Sequence, residues 1–191
     1  MAEIFKTAPA PASYARGMNA EQSPRAATGA HTTNGVPHGY TSLTPFLAVA
    51  DAAAAIDFYG SVLGARLVGR TDMPGPDGTP VVVHAELDLG NGRLQLGEVN
   101  PAFSLVAPPP GDDACYSLGL YVPDVDDVVA RAAAAGATVR EPVTTFVSGD
   151  RYGSIRDPFG VRWSVMTRVE DLSEEQSNAR VAEWAASMGQ D

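Results

Sequence analysis

The sequence predicts an α+β fold made of two tandem βαβββ modules followed by a C-terminal helix, and three observations carry that prediction. First, Val49-Ala50-Asp51 leads into a helical stretch that stops at Gly64-Ala65, and Val122-Pro123-Asp124 leads into another that stops at Gly136-Ala137, with Asp-to-Gly spacings of 13 and 12 residues. A unit that recurs with its own start and stop signals is an internal repeat. Second, each copy is flanked by runs in which apolar residues alternate at period two, as strands covered on one side do. Third, residues 149–166 read GDRYGSIRDPFGVRWSVM, a strand–turn–strand unit in which Pro158 presets the bend and Gly160 takes the positive φ.

Taken in order, residues 1–40 are rich in Ala, Pro, Ser, Thr and Gly without a sustained period, and read as a tail. His31 and His38 lie in it as solvated side chains. The first module, residues 41–100, opens with a strand at 43–49 that places Leu43, Pro45, Leu47 and Val49 on one face and Thr44, Phe46 and Ala48 on the other. Asp51 caps a helix through about Leu63, with Ile56, Tyr59, Val62 and Leu63 on one stripe. A short strand at 66–70 runs into a Pro/Gly-rich loop at 71–80. The strand at 81–89 then puts Val81, Val83, Ala85, Leu87 and Leu89 on one face and Val82, His84, Glu86 and Asp88 on the other. Gly90-Asn91-Gly92 turns the chain into a last strand at 93–98.

Residues 101–114, with Pro108-Pro109-Pro110, form a linker that enters neither a helix nor a central strand. The second module, residues 115–170, repeats the pattern: a strand at 116–122, a helix from Asp124 to about Ala135, a strand opening at 138–140, and the closing hairpin. In residues 171–191, Ser173-Glu174-Glu175-Gln176 is a capping box for a helix to about Met188, with Val181, Trp184 and Met188 as its packing stripe.

Composition bounds the function. The 191 residues carry a formal charge of −10 with an isoelectric point near 4.6, which argues against nucleic acid as a partner, because phosphate binding needs clustered Lys and Arg. Cys115 is the single cysteine; no internal disulfide is possible, and a cytoplasmic location is expected. No apolar run approaches the ~20 residues of a membrane helix, and the first residues lack the basic-then-apolar order of a secretory signal.

Two βαβββ modules, with LTPFLAVADAAAAIDFYGSVLGA opening the first, HAELDLGNGRLQLGE closing it and GDRYGSIRDPFGVRWSV with TRVEDLSEEQ ending the second, resemble the vicinal oxygen chelate superfamily of glyoxalase-, bleomycin-resistance- and dioxygenase-like proteins. The likeness is greatest to its PhnB-like group and covers about residues 41–176. The resemblance implies mixed sheets curved around a cup, with metal ligands of the enzymes on the inner faces of the first and last strands of each module. The matching positions here are Thr44, Gln95, Ser117 and Ser164. Neutral hydroxyls and an amide are weak donors for a tightly held transition metal, so no metal and no cofactor are expected.

The alternation supports the same placement: Leu47, Val49, Leu94, Leu96, Leu118, Leu120, Trp163 and Val165 make an outer, helix-covered face. The inner face then carries Thr44, Phe46, His84, Gln95, Ser117, Tyr121, Arg162, Ser164 and Met166 as candidate ligand-binding residues. Apolar walls with a few convergent polar groups suit a small molecule, and Gly97, Gly119 and Ala48 leave room; the alternative is that these side chains fill the cup as core. His84 and Glu86, two apart on one strand, are candidate catalytic residues, either as an acid–base pair or, with Asp88, as a relocated metal site. Asp150 and Arg151 read as braces for the hairpin, and Cys115 lacks an activating His. The expectation is a metal-independent homodimer binding a small, partly aromatic molecule. The alternative is a lyase, isomerase or cyclase, metal-independent or with a relocated metal.

Overall fold

The computed structural model describes residues 25–75 and 77–188. Its first elements are β1 (Thr32–Thr33) and β2 (Val36–Pro37), a small antiparallel hairpin in the stretch that composition reads as tail. The reason is local: Asn34 and Gly35 both take positive φ, 49° and 81°, the turn that Asn-Gly favours between paired strands. Residues 1–24 of the expected tail lie outside the described residues.

The first module comprises β3 (Phe46–Val49), α1 (Ala52–Leu63), β4 (Arg66–Pro74), β5 (Pro80–Asp88) and β6 (Arg93–Glu98). The second comprises β7 (Leu118–Tyr121), α2 (Val125–Ala134), β8 (Thr138–Thr145), β9 (Asp150–Arg156) and β10 (Arg162–Arg168), and α3 (Glu174–Met188) follows. The sheets have the orders β3-β6-β5-β4 and β7-β10-β9-β8. In each, the first strand runs parallel to the last and the other pairs are antiparallel, so the repeat read from the sequence is a repeat of topology. The helix signals also hold. Asp51 accepts from Ala54 N at 2.9 Å and Asp124 from Asp127 N at 3.0 Å. Gly64 closes α1 with φ 72° and Gly136 follows α2 with φ 95°.

Both modules contribute to one core of Leu47, Val49, Leu94, Leu96, Trp163 and Val165 beneath the helices, with Leu118 and Leu120 packed against its margin. Its centre is a polar knot. Asp157, in the turn between β9 and β10, is buried and accepts four hydrogen bonds: from Tyr59 Oη of α1 at 2.7 Å, Trp163 Nε1 at 2.9 Å, Phe159 N at 3.0 Å and Val161 N at 2.9 Å. Burial, and then the neighbouring Asp157 charge, push the Tyr59 phenol far above its ordinary range.

Five expectations are corrected. The linker at 101–114 does enter a helix at its start: Pro101–Phe103 form one 3₁₀ turn, with Asn100 Oδ1 accepting from Ala102 N at 3.0 Å and Pro101 in the first turn, where its missing N–H costs nothing. The loop expected at 71–80 is mostly hairpin: β4 continues to Pro74, paired with Pro80, and only the turn after it leaves the sheet. β4 is an edge strand, where a proline forfeits no ladder bond. The strands expected from 43 and 116 begin later, at Phe46 and Leu118. On β5 it is Val82, not Val81 or Val83, that is buried with Ala85 and Leu87. A bulge causes this: the register passes from Thr71↔His84 to Asp72↔Val82 and skips Val83. Finally, α3 has its capping box, Ser173 N to Gln176 Oε1 at 2.9 Å and Gln176 N to Ser173 Oγ at 3.2 Å, but its apolar stripe is not buried. Trp184 stacks edge-on against Phe146 at 4.9 Å, Met188 is exposed, and Ser177 is the buried contact.

Candidate functional site

The helices pack on one face of each sheet and leave the other without a helix over it among the described residues. The expected residues fall on it in two groups. On the first sheet, Phe46, Gln95 and Glu86 stand opposite one another in a single cross-strand row, Thr44 precedes β3, and His84 lies 6.1 Å from the Phe46 ring. On the second, Gly119, Ser164, Ser154 and Glu141 form the equivalent row, Tyr121, Met166 and Tyr152 form the next, and Ser117 and Arg162 flank them. Among the described residues no strand of one sheet pairs with a strand of the other.

The four positions where the resemblance puts metal ligands have neutral donors that do not fit a divalent ion. Ser117 Oγ and Ser164 Oγ are hydrogen-bonded to each other at 2.9 Å, and Thr44 and Gln95 bring no charge. Of the His84-Glu86-Asp88 row, the two carboxylates are committed elsewhere, while His84 stands only beside the Phe46 ring. Glu86 accepts from the Tyr40 hydroxyl, Arg93 Nη1 stands 3.8 Å from Glu86 and 3.4 Å from Asp88, and Arg66 pairs with Asp88 at 2.7 Å. Among the described residues no group of three or more His, Cys, Asp or Glu side chains converges on a point.

The room expected above Gly97 and Gly119 is occupied. A Cβ on Gly97 would stand 2.6 Å from the Val83 carbonyl oxygen and 3.1 Å from Phe46 Cζ; one on Gly119 would stand 3.3 Å from Met166 Cε. The space above each glycine is therefore taken from the neighbouring strand: Phe46 of β3 lies over Gly97 of β6, and Met166 of β10 over Gly119 of β7. The bulge on β5 needs the glycine, because it presses its own carbonyl against it. Its freed Val82 N–H is taken by Glu98 Oε1 at 3.3 Å. A crevice of about 440 Å³ lies between the chain leading into β3 and strand β7, lined by Leu43, Pro45, Leu118, Leu120 and Trp163. Tyr121 alone of the expected ligand residues reaches it.

Asp150 and Arg151 brace the hairpin as expected: Arg168 pairs with Asp150 at 2.8 Å, and Arg151 Nε meets Asp126 of α2 at 2.6 Å. Cys115 is exposed and free.

Four polar residues of these faces were missed. Tyr40 comes from the segment after the β1–β2 hairpin. Its ring lies under the Arg93 guanidinium at 5.5 Å, and Arg93 Nε donates to Gly39 O at 3.2 Å. On the second sheet, Glu141 accepts from Tyr152 Oη at 3.1 Å and from Arg162 Nη2 at 3.0 Å. The hydrogen bond to Glu86 raises the Tyr40 phenol and the one to Glu141 raises the Tyr152 phenol, so both stay protonated donors. Aligning the repeat would have found Arg93, since Arg93-Leu94-Gln95 and Arg162-Trp163-Ser164 open equivalent strands. Tyr40, Glu141 and Tyr152 give no such signal.

No described helix is long and apolar enough to cross a membrane. The profile of the Glyoxalase/Bleomycin resistance protein/Dioxygenase superfamily matches residues 30–165. An uncharacterized protein of Mycobacterium bovis is 35% identical over 144 residues, 74% of this chain and 92% of that protein. Among solved structures, TioX from Micromonospora sp. ML1 is 28% identical with a TM-score of 0.52, and protein PA1353 from Pseudomonas aeruginosa is 25% identical with a TM-score of 0.55; each match covers 67% of this chain and 98% of the other. A PhnB protein from Bacillus cereus, 21% identical with a TM-score of 0.52 over 66% of this chain and 99% of that one, shares the fold. The repeated βαβββ topology and the extent of these matches place the chain in the glyoxalase/bleomycin resistance/dioxygenase, or vicinal oxygen chelate, superfamily.

Proposed function

We propose that the protein is a metal-independent binding protein that holds a small, partly aromatic molecule against the open faces of its sheets. The observation that carries this reading is the chemistry of Thr44, Gln95, Ser117 and Ser164: uncharged groups, two of them bonded to each other, that serve a ligand's hydrogen bonds better than a cation's charge. Phe46 and Tyr121, both exposed beside them, offer stacking surface. Glu86 is poorly suited to act as a general base, since the Tyr40 hydroxyl occupies one oxygen and Arg93 faces the other.

The protein acts as a cytoplasmic homodimer in this reading. Among the described residues β3 and β7 each end their sheet with an unpaired edge, and open edges are templates for pairing with another chain. The test is a ligand-induced thermal shift screen of small aromatic molecules, repeated after exhaustive treatment with a chelator. Shifts that persist unchanged support the reading, because a ligand that binds only the folded state raises the melting temperature. Shifts abolished by the chelator and restored by a stoichiometric divalent ion would overturn it.

A further inference from the structure

The open faces of the two sheets carry the same three side chains in the same relation. On the first, Tyr40 donates to Glu86 Oε2, and Arg93 Nη1 approaches Glu86 Oε1 to 3.8 Å. On the second, Tyr152 donates to Glu141 Oε2 at 3.1 Å, and Arg162 Nη2 donates to Glu141 Oε1 at 3.0 Å. The arginines occupy equivalent positions, at the starts of β6 and β10. The other members do not: Glu86 stands on β5 and Glu141 on β8, while Tyr40 comes from the chain before the first module and Tyr152 from β9. The internal repeat alone therefore does not account for the match, since different parts of the chain build the same group twice.

The charges in each cluster cancel. On the first sheet Arg93 and Arg66 together balance Glu86 and Asp88, Arg93 standing 3.4 Å and Arg66 2.7 Å from Asp88; on the second Arg162 balances Glu141, and each tyrosine holds its proton. Hydrogen-bonding capacity is left over all the same. Arg93 Nη1 has no hydrogen-bond partner and is enclosed by protein, so a ligand takes it by displacing the Gly39–Tyr40 segment that lies against the guanidinium. Arg162 commits Nε to Ser154 Oγ at 3.4 Å and Nη2 to Glu141, so among the described residues Nη1 remains to be used. A ligand anion brought to either nitrogen would be repelled by the carboxylate beside it, and a ligand cation by the guanidinium. A neutral oxygen acceptor, the carbonyl of an amide, ketone or ester, takes the free N–H with neither conflict.

We propose that the Tyr40–Glu86–Arg93 and Tyr152–Glu141–Arg162 clusters are two equivalent ligand subsites that read neutral carbonyl groups on an aromatic molecule, with Tyr40 making the segment before the first module part of the site. This rests on the binding function proposed above and specifies its ligand class. Titration calorimetry of the full chain with naphthamide, naphthoate and naphthylmethylammonium, which share one ring system and differ in charge, tests it. Naphthamide is expected to bind at least about tenfold more tightly than either ion. The Glu86→Gln, Glu141→Gln double variant leaves Arg162 without its carboxylate and Arg93 to share Asp88 with Arg66, one uncompensated positive charge on each sheet, and is expected to gain about tenfold for naphthoate while naphthamide stays within about threefold. The more exposed Glu141→Gln change alone should show half of that shift if the double variant fails to fold. Naphthoate binding to the wild-type chain as tightly as naphthamide, or a variant with unaltered preference, overturns the subsite assignment and leaves the binding function standing. Absence of binding by all three probes overturns both.

Discussion

Asp157 is buried and gathers four hydrogen bonds from both modules, and replacing it with Asn tests at constant shape what that knot contributes. All four of its partners donate: Tyr59 Oη, Trp163 Nε1, Phe159 N and Val161 N. The site therefore requires two oxygens, and the amide group of Asn supplies only one. Whichever way the amide turns, its NH2 faces two donors. If it faces the backbone, two buried N–H groups lose their acceptor; if it faces the side chains, the Tyr59 hydroxyl can rotate to accept but the indole N–H cannot. At about 1–3 kcal/mol for each buried donor left unsatisfied, Asp157→Asn should cost about 3 kcal/mol. That corresponds to a fall of roughly 6–12 °C in melting temperature for a chain of this size.

Tyr59→Phe removes one donor and leaves the other three bonds, so its cost should be about 1.5 kcal/mol, or roughly 3–6 °C. The two changes share a hydrogen bond and should be strongly non-additive, the double variant losing at least about 1 kcal/mol less than the sum. Thermal unfolding followed by near-ultraviolet circular dichroism measures all three. Because Tyr59 belongs to the first module and Asp157 to the second, the same experiment asks whether this bond couples the modules. Additive effects, or an Asp157→Asn protein melting within about 2 °C of wild type, would refute the reasoning.

Other outcomes follow from the same geometry. Gly97→Ala places a Cβ 2.6 Å from the Val83 carbonyl oxygen, a backbone atom that cannot swing away, whereas Gly119→Ala meets only the flexible end of Met166 at 3.3 Å. In urea unfolding the first should cost about 1–3 kcal/mol and the second under about 1. Tyr40→Phe removes a single hydrogen bond to Glu86, costing about 1 kcal/mol or roughly 2–4 °C, and hydrogen exchange should quicken in residues 32–40 while the core strands keep their protection. Tyr40, Tyr59 and Tyr152 all have raised phenol values, so the stability they contribute is fully present below the unfolded value of about 10 and is lost as pH rises through their folded values. Melting temperature should hold level through neutral pH and fall above about pH 10, with the Tyr59 phenolate absorbance appearing only as the chain unfolds. At the acid end the Arg151 guanidinium holds Asp126 below the usual range, so that pair's contribution is present above the unfolded carboxylate value of about 3.9 and disappears as pH falls through the folded one.

Features decided by near neighbours in the chain were legible in the sequence. Asp51 and Asp124 as caps, Gly64 as a stop, the Ser173–Gln176 box and the Asp157–Gly160 turn all depend on residues within a few positions. Features decided by what lies across a sheet were not. The Val83 bulge exists because Gly97, fourteen positions on and paired only through the fold, lets a carbonyl approach. Pro74 could join a strand because β4 turned out to be an edge. The Asn34-Gly35 turn was visible as a dipeptide, but the surrounding Ala and Pro content argued for a tail, and no local pattern says that Tyr40 reaches Glu86, forty-six residues away. The expected site residues share this split. Alternation put Gln95, Ser164 and Arg162 on the open face, but could not give their partners, which come from other strands.

The missing metal ligands and the paired arginines are two sides of one electrostatic balance. A carboxylate on the inner face of such a sheet is costly unless a positive charge stands near it, and in a metal-binding cup the ion provides that charge. Here the strand positions that would hold an ion carry Thr44, Gln95, Ser117 and Ser164, and the carboxylates nearby are matched by side chains instead: Glu86 and Asp88 by Arg93, Glu141 by Arg162, Asp150 by Arg168. Guanidinium groups are fixed by their own hydrogen bonds to protein, as Arg93 is by Gly39 and Arg162 by Ser154, and they have no vacant coordination position for a substrate to enter. They can orient a ligand's oxygen, but they do not offer the open site at which a metal polarises one. On the binding function proposed above, this balance leaves guanidinium N–H groups for a ligand's oxygen, and the proposed selectivity, neutral oxygen over charge, follows from how the carboxylates are neutralised.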